Sequence, residues 1–235
     1  MDIVLGIDCA TKPAKVGLAL GELRNGVVTI TKCRTATRRE PPAAIAAAWL
    51  RESNRALIAL DAPLGWARAL GACLPVHRAG QVMPAPANDL FRRSTDLDIR
   101  QRMGKRPLEV GANLISRTAV AALELLGALR DCTGSPIPLA WEQDEAEPFR
   151  AIEVYPAATR LAHGAADVGG SLVGLENVLN CLAVPPQALR SADAVDAAVC
   201  ALAAADFLLG RAVPPRDYSV AKVEGWIWAA QPPGT

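Results

Sequence analysis

The chain has 235 residues, 51% of them hydrophobic and 21% charged, with a formal net charge of +1. That composition supplies an ample core for a soluble globular chain. It leaves no overall attraction to nucleic acid or to a membrane, so any polyanion must be held by a local patch.

"MDIVLGIDCA" begins like a strand rather than a basic-then-apolar leader, and no apolar run reaches membrane-spanning length. The expectation is a cytoplasmic protein with no membrane partner. Residues 3–9, 15–20 and 26–33 read as three successive antiparallel strands, with "RNG" at 24–26 as a hairpin turn. "PPAAIAAAWLRE" follows with prolines in its first turn and apolar residues at helical spacing. "RALIALDAP", residues 55–63, is an apolar run stopped by Asp-Ala-Pro, as expected of a buried parallel strand. Residues 64–110 lack periodicity and carry prolines and arginines, and read as an insertion or a long ordered loop. Residues 111–130 form a strong helix, 149–156 a further strand, and 157–189 helices broken by "VGG" and "VPP". "SADAVDAAVCALAAADF", 191–207, is an alanine-rich helix, and 220–229 reads as a last edge strand. Three antiparallel strands followed by helix–strand alternation is the order of the ribonuclease H fold. The expectation is α/β: one RNase H-like domain over 1–235, a mixed sheet flanked by helices, with an Arg-rich insertion at about 64–110.

Five acids interrupt otherwise apolar elements. Asp8 ends the first strand, Asp61 ends the fourth and Glu153 lies within the fifth. Asp193 and Asp196 sit three apart near the start of the alanine-rich helix and share a face. Ligand sites of α/β sheets gather at the carboxyl ends of strands. Carboxylates brought together there repel each other unless a cation neutralises them, and an all-oxygen donor set suits Mg²⁺ or Mn²⁺. The ordinary alternatives are turn-capping aspartates, a helix-dipole role for Asp193 and an arginine partner for Glu153.

"GIDCA", "LALDAPLGW", "RRSTD", "IEVYPAA", "ADAVDAAVCALAA" and "VEGWIW" occur in an order that resembles the RNase H-fold nuclease family called domain of unknown function 429. "ADAVDA" is also similar to the C-terminal acidic helix of RuvC-type resolvases. The resemblance implies a Mg²⁺- or Mn²⁺-dependent nuclease acting on DNA or RNA. Asp8 would bridge the metals, Asp61, Asp193 and Asp196 would complete the site, and Glu153 would be a ligand or a supporting base. RuvC-type enzymes have no evident requirement for an acid in the strand of "IEVYP", which sets Glu153 apart.

Lys12, Arg92, Arg93, Arg100 and Arg102 are candidates to grip the nucleic-acid backbone through release of condensed counterions; the ordinary alternative is a solvated, salt-bridged loop and an exposed Lys12. Trp226 and Trp228 are expected to pack in the core, and His77 and His163 have no nucleophile motif beside them. The six cysteines form no C-x-x-C pair and read as reduced thiols. No P-loop, G-x-G-x-x-G or G-x-S-x-G motif is present. The alternatives to a nuclease are a nucleic-acid-binding module without turnover and an actin-like phosphotransferase, although the chain shows no second copy of the phosphate motif that the latter requires.

Overall fold

The computed structural model describes residues 2–111 and 113–233. The first strands, β1 (Asp2–Asp8), β2 (Gly17–Arg24) and β3 (Val27–Thr35), form an antiparallel meander. The β2–β3 turn is closed by Asn25 and Gly26, both at positive φ, as a tight two-residue hairpin requires. Helix α1 (Pro42–Leu50) leads into β4 (Ala56–Asp61). Three short helices follow, α2 (Arg68–Cys73), α3 (Ala87–Phe91) and α4 (Ser94–Met103), and then the long α5 (Asn113–Thr133). The chain continues through β5 (Phe149–Glu153), α6 (Pro156–Ala162), β6 (Leu179–Asn180), α7 (Ala192–Leu208) and α8 (Tyr218–Glu224).

The sheet order is β5-β4-β1-β2-β3-β6, with β1/β4, β4/β5 and β3/β6 parallel. An antiparallel meander whose first strand pairs in parallel with a fourth, itself parallel to a fifth, is the RNase H-like arrangement. Alternation along the strands divides the core between the two faces. Leu5, Ile7, Ile58 and Leu60 pack toward α1 and α5, whereas Val4, Leu57, Ala59 and Ile152 pack toward α7.

Helix α7 is apolar nearly all round because it is buried nearly all round. Its alanines let its backbone approach the sheet at contact distance. A Cβ on Gly6 would lie 1.9 Å from the Ala197 carbonyl oxygen, and one on Gly17 would lie 1.9 Å from that of Asp193. Only glycine fits at either position.

Three segments differ from the sequence-based expectation. Residues 64–110 hold α2, α3 and α4 instead of an irregular loop; their helices are too short to show a period. Residues 157–189 contain α6 alone as an α-helix, followed by irregular chain, the two-residue β6 and a 3-10 turn at Pro186–Arg190. The expected edge strand at 220–229 begins as α8 and leaves single bridges at Ile227 and Ala230. Trp226 and Trp228 are buried in the core on the α7 side. All six cysteines are free. Among the described residues no helix is long and apolar enough to cross a membrane.

The α7 contact has a direct consequence for stability. Gly6→Ala should lower the unfolding free energy by about 3 kcal/mol or more, because backbone rather than a flexible side chain must yield. Gly127→Ala, in α5 with no atom within 4 Å of the added methyl, should be neutral or stabilising by up to about 1 kcal/mol. Urea unfolding of both variants measures the contrast; equal effects would contradict the contact.

Candidate acidic site at the strand ends

Asp8 and Asp61 are register partners at the carboxyl ends of the parallel pair β1/β4. Both project to the α7 face, since their even-spaced predecessors Val4, Leu57 and Ala59 do so. On its other side Asp8 pairs with Gly17, directly beneath the Asp193 backbone. The first turns of α7 therefore lie over the two strand ends.

Burial pushes the Asp8 carboxyl up to about 8, with Asp61, Asp196 and Asp193 adding to the rise and Arg160 opposing it. Burial likewise pushes Asp61 up to about 7, reinforced by Asp196 and Glu153 and opposed by Arg160. Asp196 is close enough to raise both, yet it is not left to face them alone. Its Oδ1 accepts a hydrogen bond from Arg160 Nη2 and another from the Gly170 N–H at 2.8 Å. Arg160, 2% exposed, also donates from Nε to the Ser171 carbonyl at 3.0 Å. One guanidinium thus ties α6, α7 and the 165–171 segment together. Asp193 lies at the partly exposed rim. It accepts from the Ser191 hydroxyl at 3.3 Å and faces Lys15 Nζ at 3.7 Å. Ser191 occupies the helix cap position but makes no side-chain cap bond.

Glu153 departs from the expected site. It is in register with Leu60, so it takes the opposite face from Asp61. There its carboxylate accepts from Arg93 at 2.7 and 2.9 Å and from the Leu64 N–H at 2.9 Å. Its carboxylate is thus engaged as a structural anchor, although its charge still reaches Asp61.

The expected nucleic-acid residues divide in the same way. Arg93 is 1% exposed, and its five N–H donors are all used, on Glu153, Asp96 and the Glu224 carbonyl. Arg92 pairs with Glu109 at 2.9 Å, and Arg102 pairs with Asp98 at 2.7 Å and bonds the Ala230 carbonyl. Arg93 is thereby buried away from any nucleic-acid backbone, a correction to the sequence expectation, whereas Arg92 and Arg102 are half-buried and engaged by neighbouring acids. Lys12 and Arg100 are exposed.

Beside Asp61 lies a cavity of about 250 Å³ lined by Cys9, Pro107, Ile115, Tyr155 and Ile227 among others. Tyr155 is pushed up to about 12 by burial and by the charges of Asp167 and Asp61. Asp167 is itself paired with Lys105. Among the described residues no three His, Cys, Asp or Glu side chains are grouped so as to hold a metal ion. The adjacent carboxylates of Asp8 and Asp61 nevertheless fit Mg²⁺ or Mn²⁺, since Mg²⁺ is held by one or two carboxylates and keeps several waters.

Sequence reasoning missed Arg160. The available signal was that "PAATRLA" has no polar face: an arginine on a helix of small residues is buried with its charge.

These shifts set a pH dependence. Without metal, the folded chain holds protons on Asp8 and Asp61 that the unfolded chain has released, so folding takes up protons between the ordinary value of 3.8 and about 8. This contribution makes stability fall as pH rises through that window. Asp8→Asn has no proton to lose. It should melt above the wild type at pH 8, by about 2–4 °C per kcal/mol relieved, and level with it near pH 4. Thermal melts in chelator check this; a variant melting lower at pH 8 would contradict the assigned crowding.

No curated protein matches the sequence. Among solved structures, T. thermophilus RuvC in complex with Holliday junction substrate is similar at 14% identity with a TM-score of 0.45, over 88% of this chain and 96% of that one. The family model described as "Protein of unknown function (DUF429)" matches residues 6–219, a span that includes Asp8, Asp61, Arg160 and Asp196, and the chain belongs to that family.

Proposed function

We propose that the chain is a Mg²⁺- or Mn²⁺-dependent nuclease or phosphodiesterase acting on nucleic acid. The observation that carries this reading is the pairing of Asp8 with Asp61 at adjacent strand ends, with Asp196 above them. A fold gains nothing from crowding carboxylates that raise one another's proton affinity. A cation turns that cost into binding energy, because it displaces the protons and takes the charge.

Asp8 and Asp61 would hold the ion, offering it hard oxygen donors only. When bound, such an ion polarises a phosphoryl oxygen and lowers the pKa of a water to the range where it is a nucleophile at neutral pH. The chain's own groups do the rest. Arg160 holds Asp196 in place and keeps the charge around the pair from becoming more negative. Lys12 and Lys15 stand exposed in the β1–β2 connection, and Lys15 reaches the rim at Asp193, which supports this connection as the contact for a phosphate backbone. Asp61 also lines the cavity of about 250 Å³, which leaves space beside that acid for a substrate group.

The test is a panel of single-stranded, duplex and branched DNA and RNA incubated with the purified chain and Mn²⁺. Cleavage is expected with at least one substrate. Asp8→Asn and Asp61→Asn should each slow it by at least about 100-fold, the upper end of what loss of a residue behind the ligands costs, while both variants stay folded. Binding without cleavage across the panel would instead identify a module that holds nucleic acid without turnover.

A further inference from the structure

Resting on the cation reading above, we propose that the site holds a single divalent ion at Asp8 and Asp61, and that the Arg160 guanidinium stands in for the second ion of a two-ion carboxylate site.

Once a cation displaces the protons of Asp8 and Asp61, they and Asp196 bring three negative charges to adjacent strand ends and the helix above them, and Arg160, bonded to Asp196, brings one positive charge. The remainder is two negative charges, the complement of one divalent cation. Asp193 does not alter the balance, because Lys15 faces it at the rim. A second divalent ion would leave the buried group with net positive charge, and uncompensated buried charge is costly in either sign.

Geometry points the same way. A two-ion site needs a carboxylate free to serve the second position. Asp196 is the acid placed for that role, and its Oδ1 already accepts from Arg160 and from the Gly170 N–H. Arg160 is not a passing surface partner. It is 2% exposed, held from its other side by the Ser171 carbonyl, and fixed on the last turn of α6. Arginine stays protonated at any working pH and presents a rigid fork, so its charge is permanent and its position fixed. Lysine would supply the charge without the second anchor. Arg160 is thus a charge-balancing and positioning residue.

The test counts ions on the full-length chain without nucleic acid. Calorimetric titration with Mn²⁺ at neutral pH gives the stoichiometry, and electron paramagnetic resonance of the saturated sample separates isolated ions from an exchange-coupled pair. The wild type is expected to take up one ion and show no coupled signal. Arg160→Gln, if it folds, should take up two, because Asp196 is released and the charge deficit grows. Two coupled ions in the wild type would overturn the inference and leave the proposed function standing. No bound ion in the wild type would overturn both. A folded Arg160→Gln that still takes up one ion would show that Arg160 does not hold the second place. If that variant does not fold, the wild-type count decides alone.

Discussion

Helix α7 lies with its backbone against the backbones of β1 and β2, and the position of the acids follows from that contact. Glycine at 6 and 17 removes the side chains that would hold the helix away, and alanine on the helix removes those that would hold the sheet away. An ordinary layer spacing would carry Asp193 and Asp196 away from the strand ends. The close one brings Asp196 within electrostatic range of Asp8 and Asp61. Cys200 and Cys33 fill the gap beneath, donating weakly to the carbonyls of Ile7 and Ala194. The same tight packing that stabilises the domain therefore creates the crowding that a cation would relieve.

The buried charges fall into two groups on opposite faces of the sheet. On one face Asp8, Asp61 and Asp196 share one arginine, and the group is left short of positive charge. On the other, all five Arg93 donors are used on Glu153, Asp96 and the Glu224 carbonyl, so two carboxylates are fixed by one saturated guanidinium. Buried pairs of the second kind add little net stability against an apolar core, but they fix geometry, since breaking one leaves a stranded charge. Here the geometry fixed is that of the 64–110 segment. Arg93 ties its α4 to β5, and the Glu224 carboxylate accepts from the N–H groups of Arg68 and Ser94, at the first residues of α2 and α4. Two acids share an arginine where the fold needs an anchor, and three share one where a ligand is proposed.

Much of this was legible in the sequence. The meander, the Asn-Gly turn, the buried β4 and the acids ending β1 and β4 all follow from local pattern, because each is a matter of period and punctuation. The face of Glu153 was also legible. Counting in twos from Ile152 and from Ala59 sets it opposite Asp61, but only once the register of β4 against β5 is known. The partners of the arginines were not legible. "FRRSTDLDIRQRM" looks like a solvated basic stretch, and nothing within it says that Arg93 lies 60 residues from its carboxylate. Arg160 and Asp196 are likewise 36 residues apart. Such pairings depend on how α6 and α7 lie together, and local spacing holds no record of that. The short helices of 64–110 escaped for another reason: their order comes from tertiary anchors rather than from an amphipathic face of their own.

The most direct test of the central claim, that the Asp8–Asp61 pair is a cation site, is anomalous scattering from a crystal grown with Mn²⁺. One peak is expected at the strand ends, in contact with a carboxylate oxygen from each of Asp8 and Asp61, with Arg160 still bonded to Asp196. A well-ordered site with no peak there, or with the ion bound elsewhere and the two carboxyl groups hydrogen-bonded to each other, would contradict it.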